Sequence, residues 1–194
     1  DQRKTSNFVV SVGNVGSISQ KDQLFAADFD GDGKTDLWHI KDEKVSVYTL
    51  VNNQLQLITE YSDDWIKTKF QILKGDFNGD GKMDLLLPEE INSSTWKFLY
   101  SSGESFFARI KNLPLGYAVH STERITRRIS ALHEHYYIVQ DFNQDGKSDI
   151  IKHFIKSATY KIAGYPQIYQ NTDQLEIFEN TSNNFKRTSI NKRE

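Results

Sequence analysis

The stretch DFDGDGKTDLW, residues 28–38, places four carboxylates and two glycines in one short turn and then becomes apolar. The pattern returns as DFNGDGKMDLLL from residue 76 and as DFNQDGKSDII from residue 141. If the first Asp is position 1, side-chain oxygens stand at positions 1, 3, 5 and 9, and a glycine at position 6. We call these segments loop 1 (28–36), loop 2 (76–84) and loop 3 (141–149). Three copies with one spacing indicate a repeat protein.

The oxygen spacing predicts a cation site in each loop. In a tightly wrapped loop alternate side chains turn inward, and the carbonyl of position 7 faces the same way while its lysine side chain stays in solvent. Such a set of oxygens, with water, suits Ca²⁺ better than the smaller, strictly octahedral Mg²⁺. Without a cation, carboxylates about 4 Å apart would repel by roughly 4 kcal/mol per pair at an effective dielectric near 20. We therefore expect about three structural Ca²⁺ ions, held by Asp28, Asp30, Asp32, Lys34 and Asp36, by Asp76, Asn78, Asp80, Lys82 and Asp84, and by Asp141, Asn143, Asp145, Lys147 and Asp149.

Two other interpretations compete with coordination. Asp-Gly and Asn-Gly pairs also mark metal-free turns between strands, but the same ligand positions in three copies favour a cation. An EF-hand shares positions 1, 3, 5, 6 and 7 but needs a Glu at position 12 and flanking helices. Position 12 is His39, Leu87 or Lys152, so the EF-hand interpretation fails. The Asp at position 9 is expected to close the site instead.

Short segments with alternating, β-branched and aromatic residues flank every loop and predict an all-β protein. Each unit has four antiparallel strands, with the loop between the first two, which is the size of a β-propeller blade. We predict one region, 1–194, with units at about 23–68, 69–134 and 135–190 and a remnant of a preceding blade at 7–15. Because propellers have four to eight blades, we expect a segment of a larger propeller or a ring completed by self-association. The predicted strands are 23–29, 36–41, 44–51, 55–61, 69–77, 84–88, 96–101, 105–110, 135–142, 149–155, 175–180 and 184–190.

Two segments interrupt this repeat, at about 111–134 and 156–174. The best candidate for an amphipathic helix, 121–135, overlaps the first, with Ile125, Ile129 and Leu132 at spacings of three and four. The second contains Tyr160, Tyr165 and Tyr169, amphipathic rings outside the repeat that are candidates for stacking on a sugar or contacting a protein.

A group of histidines and a basic cluster are weaker candidates for binding sites. His133 and His135, with His120 and His153 elsewhere, could supply ligands to a transition metal, although a solvated strand end explains the pair more simply. The basic cluster at 123–128 could receive an anion, but a solvated face is the simpler interpretation.

Composition narrows the function classes. The chain has 24 basic and 26 acidic residues, a net charge of −2, so no global field favours nucleic acid or insertion at an anionic membrane. The apolar runs are too short to span a bilayer. The absence of cysteine excludes disulfides, zinc–thiolate sites and cysteine nucleophiles. No catalytic motif occurs outside the acidic loops, so we expect no enzymatic activity.

The three loop sequences resemble the FG-GAP/VCBS-type calcium repeats of integrin-α-like β-propellers, in a form closer to the bacterial one. That resemblance implies that the cation fastens the turn between blade strands one and two, and that Phe29, Phe77 and Phe142 pack inward between blades. It also implies a calcium-stabilised binding or scaffold module that is extracellular, periplasmic or at the cell surface, with a protein or glycan partner. The alternatives are a carbohydrate-binding module, the propeller part of a larger secreted RHS- or toxin-complex-like protein or enzyme, and a metal-free intracellular repeat protein.

Overall fold

The computed structural model of the chain describes residues 18–66, 71–90, 93–115, 121–126, 129–160, 168–181 and 184–193. These residues form thirteen strands in three antiparallel sheets. None of them belongs to a helix with the length and apolarity needed to cross a bilayer. The first sheet contains β1 (Gln23–Ala27), β2 (Asp36–Lys41), β3 (Lys44–Val51) and β4 (Gln54–Ser62). The second contains β5 (Leu73–Gly75), β6 (Asp84–Pro88), β7 (Thr95–Ser101) and β8 (Phe106–Asn112). The third contains β9 (Ser121–Thr126), β10 (Ile129–Gln140), β11 (Asp149–Tyr160), β12 (Ile168–Asn180) and β13 (Phe185–Arg193).

The predicted all-β, blade-like architecture is confirmed. In each of the first two sheets four consecutive strands pair in chain order. The third sheet follows the same order in β10 to β13 and adds β9 at the edge beside β10. The predicted remnant at 7–15 lies outside the described residues.

The two segments expected to interrupt the repeat are largely strand. The candidate helix at 121–135 is wrong, because β9 and the first half of β10 pair there, with Leu132 opposite Thr122. Residues 121–126 and 129–134 therefore belong to the third sheet and not to the second unit. Residues 156–160 and 168–174 lengthen β11 and β12, whose ladder continues to Tyr160 opposite Ile168. Backbone pairing overrides a helical spacing of apolar residues when a partner strand is at hand.

Tight hairpins hold the register of the first sheet. β2 and β3 are joined by Asp42 and Glu43, with φ of 46° and 64°. β3 and β4 are joined by Asn52 and Asn53, with φ of 52° and 62°. Positive φ at both central residues is the geometry of the two-residue turn whose twist matches that of paired strands.

The core lies between successive sheets. Between the first two, Trp38, Val47 and Phe29 pack against Leu85 and Leu99. Between the second and third, Phe77, Phe98 and Trp96 pack against Tyr137 and Phe185. The middle sheet is thus covered on both faces, which explains why β6 is a run of buried residues, DLLLP, with no polar alternation. Strands buried on both faces have continuous apolar sequences.

Candidate functional site

The three acidic loops occupy equivalent places in the three sheets. Each joins the first two strands of its unit: β1 to β2, β5 to β6 and β10 to β11. Successive loops touch, because the N–H of Met83 donates to the carbonyl of Asp28 at 2.9 Å and the N–H of Ser148 donates to that of Asp76 at 2.6 Å. The loops therefore form a row along one end of the sheets.

The carboxylate at position 1 organises the loop around it. In loop 1 the oxygens of Asp28 accept N–H groups of Gly31 at 2.7 Å and Gly33 at 2.9 Å. Asp76 accepts the same pair of N–H groups in loop 2, at 2.6 and 2.7 Å. Both oxygens keep further acceptor capacity, since an ionised carboxylate offers about four lone-pair sites.

Two positions of each loop have a left-handed backbone. The expected glycine at position 6 has φ near +80°, at Gly33, Gly81 and Gly146. Position 4 is left-handed as well, at Gly31, Gly79 and Gln144, which the interpretation of the sequence missed. The paired glycines of Gly-Asp-Gly in loops 1 and 2 were the available signal, because glycine adopts this conformation without a steric penalty.

The carboxylate oxygens of loop 1 converge. One oxygen each of Asp28, Asp30 and Asp36 lie within 4.8 Å of one another. Three anionic oxygens at that spacing are a donor set for a hard cation such as Ca²⁺. In loops 2 and 3 the residue at position 3 is Asn78 or Asn143, which replaces one carboxylate with a neutral amide oxygen. In loop 1 the residues at positions 1, 3 and 9 therefore fit the predicted cation.

Positions 5 and 7 differ from the expectation. Asp32 is not in the converging group: its carboxylate accepts the N–H of Lys34 at 2.8 Å and pairs with the ammonium group of the same lysine. Asp80 pairs with Lys82 in loop 2, at 3.3 Å. The predicted solvent position of the lysine side chain holds for Lys34, but the side chain of Lys82 is only 22 % exposed. Its stem lies over the preceding loop, where Cγ is 3.4 Å from a Cβ built on Gly31.

The carboxylate at position 9 is buried in all three loops, at Asp36, Asp84 and Asp149. Both oxygens of Asp84 accept backbone N–H groups, from Phe77 at 3.0 Å and from Ser101 at 2.9 Å. Burial nevertheless raises the pKa of Asp84 to about 7, against those two hydrogen bonds and with the help of the nearby charges of Asp80 and Asp76. Burial also raises the pKa of Asp36. A positive charge in the loop would act in the opposite direction on both.

Two residues that the sequence did not single out complete this arrangement. Ser101 ends β7 and Asn180 ends β12, and both are buried. Ser101 Oγ donates to the carbonyl of Phe29 at 2.6 Å, and Asn180 Nδ2 donates to that of Phe77 at 2.8 Å. No motif marks them, because they meet the loops across the interface between sheets.

The remaining predicted sites are not assembled by the described residues. Tyr160 and Tyr169 lie on the paired strands β11 and β12, opposite Ile168 and Thr159, with only their backbone described, and Tyr165 lies outside the described residues. His133 and His135 are on β10, again with only their backbone described, and His120 lies outside. His153 packs its ring near that of Tyr136, with centroids 6.2 Å apart. The basic cluster at 123–128 falls at the end of β9 and beyond it.

We compared the sequence with models of known protein families. Residues 11–87 match the family model of an FG-GAP-like repeat. This part of the chain is an FG-GAP-like repeat. The match spans loops 1 and 2 and agrees with the resemblance of their sequences. The FG-GAP-like match over residues 11–87 and the antiparallel sheets together indicate a propeller-type module of the binding or scaffold kind. A comparison with curated proteins found no match.

Proposed function

We propose that the chain is a calcium-stabilised, non-catalytic binding or scaffold module of a β-propeller that works outside the cell or at its surface. The observation that carries the proposal is the convergence of the Asp28, Asp30 and Asp36 oxygens within 4.8 Å, in a loop that occurs three times with one ligand spacing.

The side chains at positions 1, 3 and 9 would hold the ion in each loop. When bound, Ca²⁺ supplies two positive charges to a site that otherwise gathers carboxylates. The buried carboxylates Asp36, Asp84 and Asp149 benefit most, because an uncompensated charge is unfavourable in a low-dielectric surrounding. Asp32 and the carbonyl of Lys34 complete the proposed set in loop 1, once Asp32 exchanges its bond with the lysine ammonium group for the cation.

Thermal melting with calcium and with excess chelator tests this proposal. A ligand that binds only the folded state adds about 2.7 kcal/mol to the free energy of unfolding at 100 times its dissociation constant, so the three sites should raise the melting temperature clearly. Magnesium at the same concentration should raise it less. A melting temperature that calcium leaves unchanged, in protein first shown to be metal-free, contradicts the proposal.

Calorimetric titration then assigns the sites. The wild-type chain should bind about three Ca²⁺ ions, as its three loops predict. Asp30→Ala should remove one ion from the stoichiometry, because Asp30 is an exposed member of the converging group. Lys34→Ala is the matched control in the same loop: only the carbonyl of Lys34 is a proposed ligand, so the stoichiometry should stay the same.

The extracellular, cell-surface or periplasmic location is proposed from the repeat family and from calcium supply. Calcium sites of extracellular modules bind in the range of about 10⁻⁴ to 10⁻³ M, which the cytosol would not fill. A dissociation constant far below the micromolar range would contradict this location, since such a site would also fill inside a cell.

The proposed partner is a protein or glycan on a cell surface, in accord with the FG-GAP-like repeat. Glycan-array binding with calcium and with chelator separates the carbohydrate alternative from protein binding. Tyr165→Ala is the variant that should abolish glycan binding if the segment 156–174, which contains Tyr165, is the binding site. The non-catalytic assignment rests on the sequence, where no catalytic motif stands outside the loops.

A further inference from the structure

A line of buried hydrogen bonds joins loop 1 to loop 2 across the interface between the first two sheets. The N–H of Phe29 donates to Asp36 Oδ2 at 3.0 Å, and the carbonyl of Phe29 accepts Ser101 Oγ at 2.6 Å. The N–H of Ser101 donates to Asp84 Oδ1 at 2.9 Å. The backbone of Phe29 and the residue Ser101 thus separate the position-9 carboxylates of two neighbouring loops.

The same line continues from loop 2 to loop 3. The N–H of Phe77 donates to Asp84 Oδ2 at 3.0 Å, and the carbonyl of Phe77 accepts Asn180 Nδ2 at 2.8 Å. The N–H of Asn180 donates to Asp149 Oδ1 at 2.8 Å, while Asp149 Oδ2 accepts the N–H of Phe142 at 3.1 Å. All three position-9 carboxylates are therefore members of one hydrogen-bonded chain.

Burial and a second set of hydrogen bonds stabilise this connection between the loops. The three carboxylates, Ser101 and Asn180 are buried, and hydrogen bonds in a low-dielectric interior are stronger than in water. The residue just before the position-9 Asp adds a parallel contact, because the N–H groups of Met83 and Ser148 donate to the position-1 carbonyls of the loops before them. The backbone of one loop is thus the acceptor that places the buried ligand of the next.

We propose that Ser101 and Asn180 are positioning residues that couple the three cation loops, so that filling one loop raises the calcium affinity of its neighbour. The proposal rests on the calcium sites of the proposed function. A cation in loop 1 fixes the carbonyl of Asp28, which accepts the N–H of Met83, and the carbonyl of Phe29, which accepts the hydroxyl of Ser101. Both contacts hold Asp84 in place before loop 2 binds. Loop 2 then loses less conformational entropy when it binds its own ion, and this lower entropic cost is positive cooperativity. By linkage, loop 2 must raise the affinity of loop 1 by the same factor.

The test measures calcium binding by calorimetry in variants that keep loops 1 and 2 only. Asp145→Ala removes the proposed calcium site of loop 3 and leaves the sites of loops 1 and 2. Adding Asp30→Ala isolates loop 2, and adding Asp80→Ala instead isolates loop 1. The coupling factor is the overall two-site binding constant divided by the product of the two single-site constants. We expect a factor of roughly fivefold or more, and a factor of 1 overturns the proposal.

Variants of the linking serine show whether the line carries the coupling. Ser101→Ala removes the donor to Phe29 but keeps the N–H to Asp84, so the coupling factor should fall towards 1 while both single sites still bind. Ser102→Ala, the same change at the next, exposed residue, should leave the factor intact, and Ser101→Thr should restore it. A factor that Ser101→Ala leaves unchanged overturns the role of Ser101.

Two further measurements keep the outcomes apart. Circular dichroism and melting at saturating calcium establish that each variant is folded. If Ser101→Ala does not fold, Asn180→Ala in an Asp30→Ala chain gives the equivalent factor for loops 2 and 3, with the same expected loss. A wild-type chain that binds no calcium removes the proposed function itself, whereas three independent sites remove only the coupling.

Discussion

Loops 1 and 2 each face a following sheet, and in the described residues loop 3 does not. The exposed fraction of the phenylalanine at position 2 differs accordingly. Phe29 and Phe77 are 0 % and 2 % exposed, whereas Phe142 is 40 % exposed. Phe29 meets the ring of Phe106 and Phe77 meets that of Phe185, each on the next sheet. One motif thus gives a core residue or a surface residue according to what packs beside it.

The same contrast explains position 4, which is glycine in loops 1 and 2 but Gln144 in loop 3. The lysine of the next loop lies over position 4, with Lys147 Cγ 3.1 Å from a Cβ built on Gly79. A glycine fits under that stem, and loops 1 and 2 have one. Loop 3 has Gln144, which is exposed and left-handed at φ 63°. The residue at position 4 therefore depends on whether a following sheet covers the loop.

The largest effect expected from this contrast concerns the two phenylalanines. Phe77→Ala should lower the free energy of unfolding by about 4 kcal/mol, because it empties a packed site between two sheets. Phe142→Ala should lower it by less than about 1 kcal/mol. Chemical denaturation of both variants at saturating calcium measures the difference. Equal losses would show that Phe142 is as buried in solution as Phe77.

The second prediction concerns the nearly buried ion pair between the first two sheets. Both carboxylate oxygens of Asp63 lie within 2.7 Å of Lys97 Nζ. Asp63→Asn should cost roughly 3 kcal/mol, since it leaves an ammonium group without its counter-charge. Glu60→Gln is the matched control, because its partnership with Lys44 is solvent-exposed and is expected to contribute under about 1 kcal/mol.

The same pair gives a pH dependence. Burial acts to raise the pKa of Asp63, but the hydrogen bonds from Lys97 and the N–H of Trp65 outweigh it, so the pKa lies below its ordinary value of 3.8. A lowered pKa in the folded state contributes stability that is present above the ordinary value and lost as the pH falls through the folded value. Asp63→Asn should therefore flatten the loss of stability below about pH 4. If the free energy of unfolding falls below about pH 4 as steeply in Asp63→Asn as in the wild type, this prediction is contradicted.

A smaller effect is expected at the residue before loop 2. A Cβ on Gly75 would lie 2.6 Å from Ser148 Oγ in loop 3 and 2.7 Å from Val139 Cγ1 on β10. Gly75→Ala should therefore cost about 2 kcal/mol through overpacking. The equivalent residue before loop 3, Gln140, is exposed, and Gln140→Ala should change the free energy of unfolding by under about 0.5 kcal/mol. Thermal melting of the two variants compares them.

The smallest effect separates the two kinds of position 4. Gly79→Ala should cost about 1 kcal/mol, because alanine is disfavoured at φ +80° and its Cβ would press on the Lys147 stem. Gln144→Gly should be neutral or slightly stabilising, since it relieves a left-handed, exposed glutamine. If Gln144→Gly instead destabilises the protein as much as Gly79→Ala, the side chain of Gln144 has a contact of its own.

Most of the repeat was predictable, because its signals are local. The spacing of Asp28, Asp30 and Asp36 predicted a group of converging oxygens, and the alternating segments beside the loops predicted most of the strand bounds within a few residues. The failures were non-local. Ile125, Ile129 and Leu132 have a helical spacing, yet β9 and β10 form there because each strand completes a ladder. Ser101 and Asn180 could not be found, since their partners Phe29 and Phe77 are 72 and 103 residues away in sequence.

The sequence by itself determined the repeat, the β class and the spacing of the side-chain oxygens in the three loops, because turn geometry and strand alternation act over a few residues. Only the tertiary structure decided which face of each sheet is covered. It made Phe77 a core residue and Phe142 a surface residue from the same motif. It also joined Asp36, Asp84 and Asp149 into one buried line of hydrogen bonds. Burial depends on what packs across a sheet, and that neighbour is encoded many residues away in the chain.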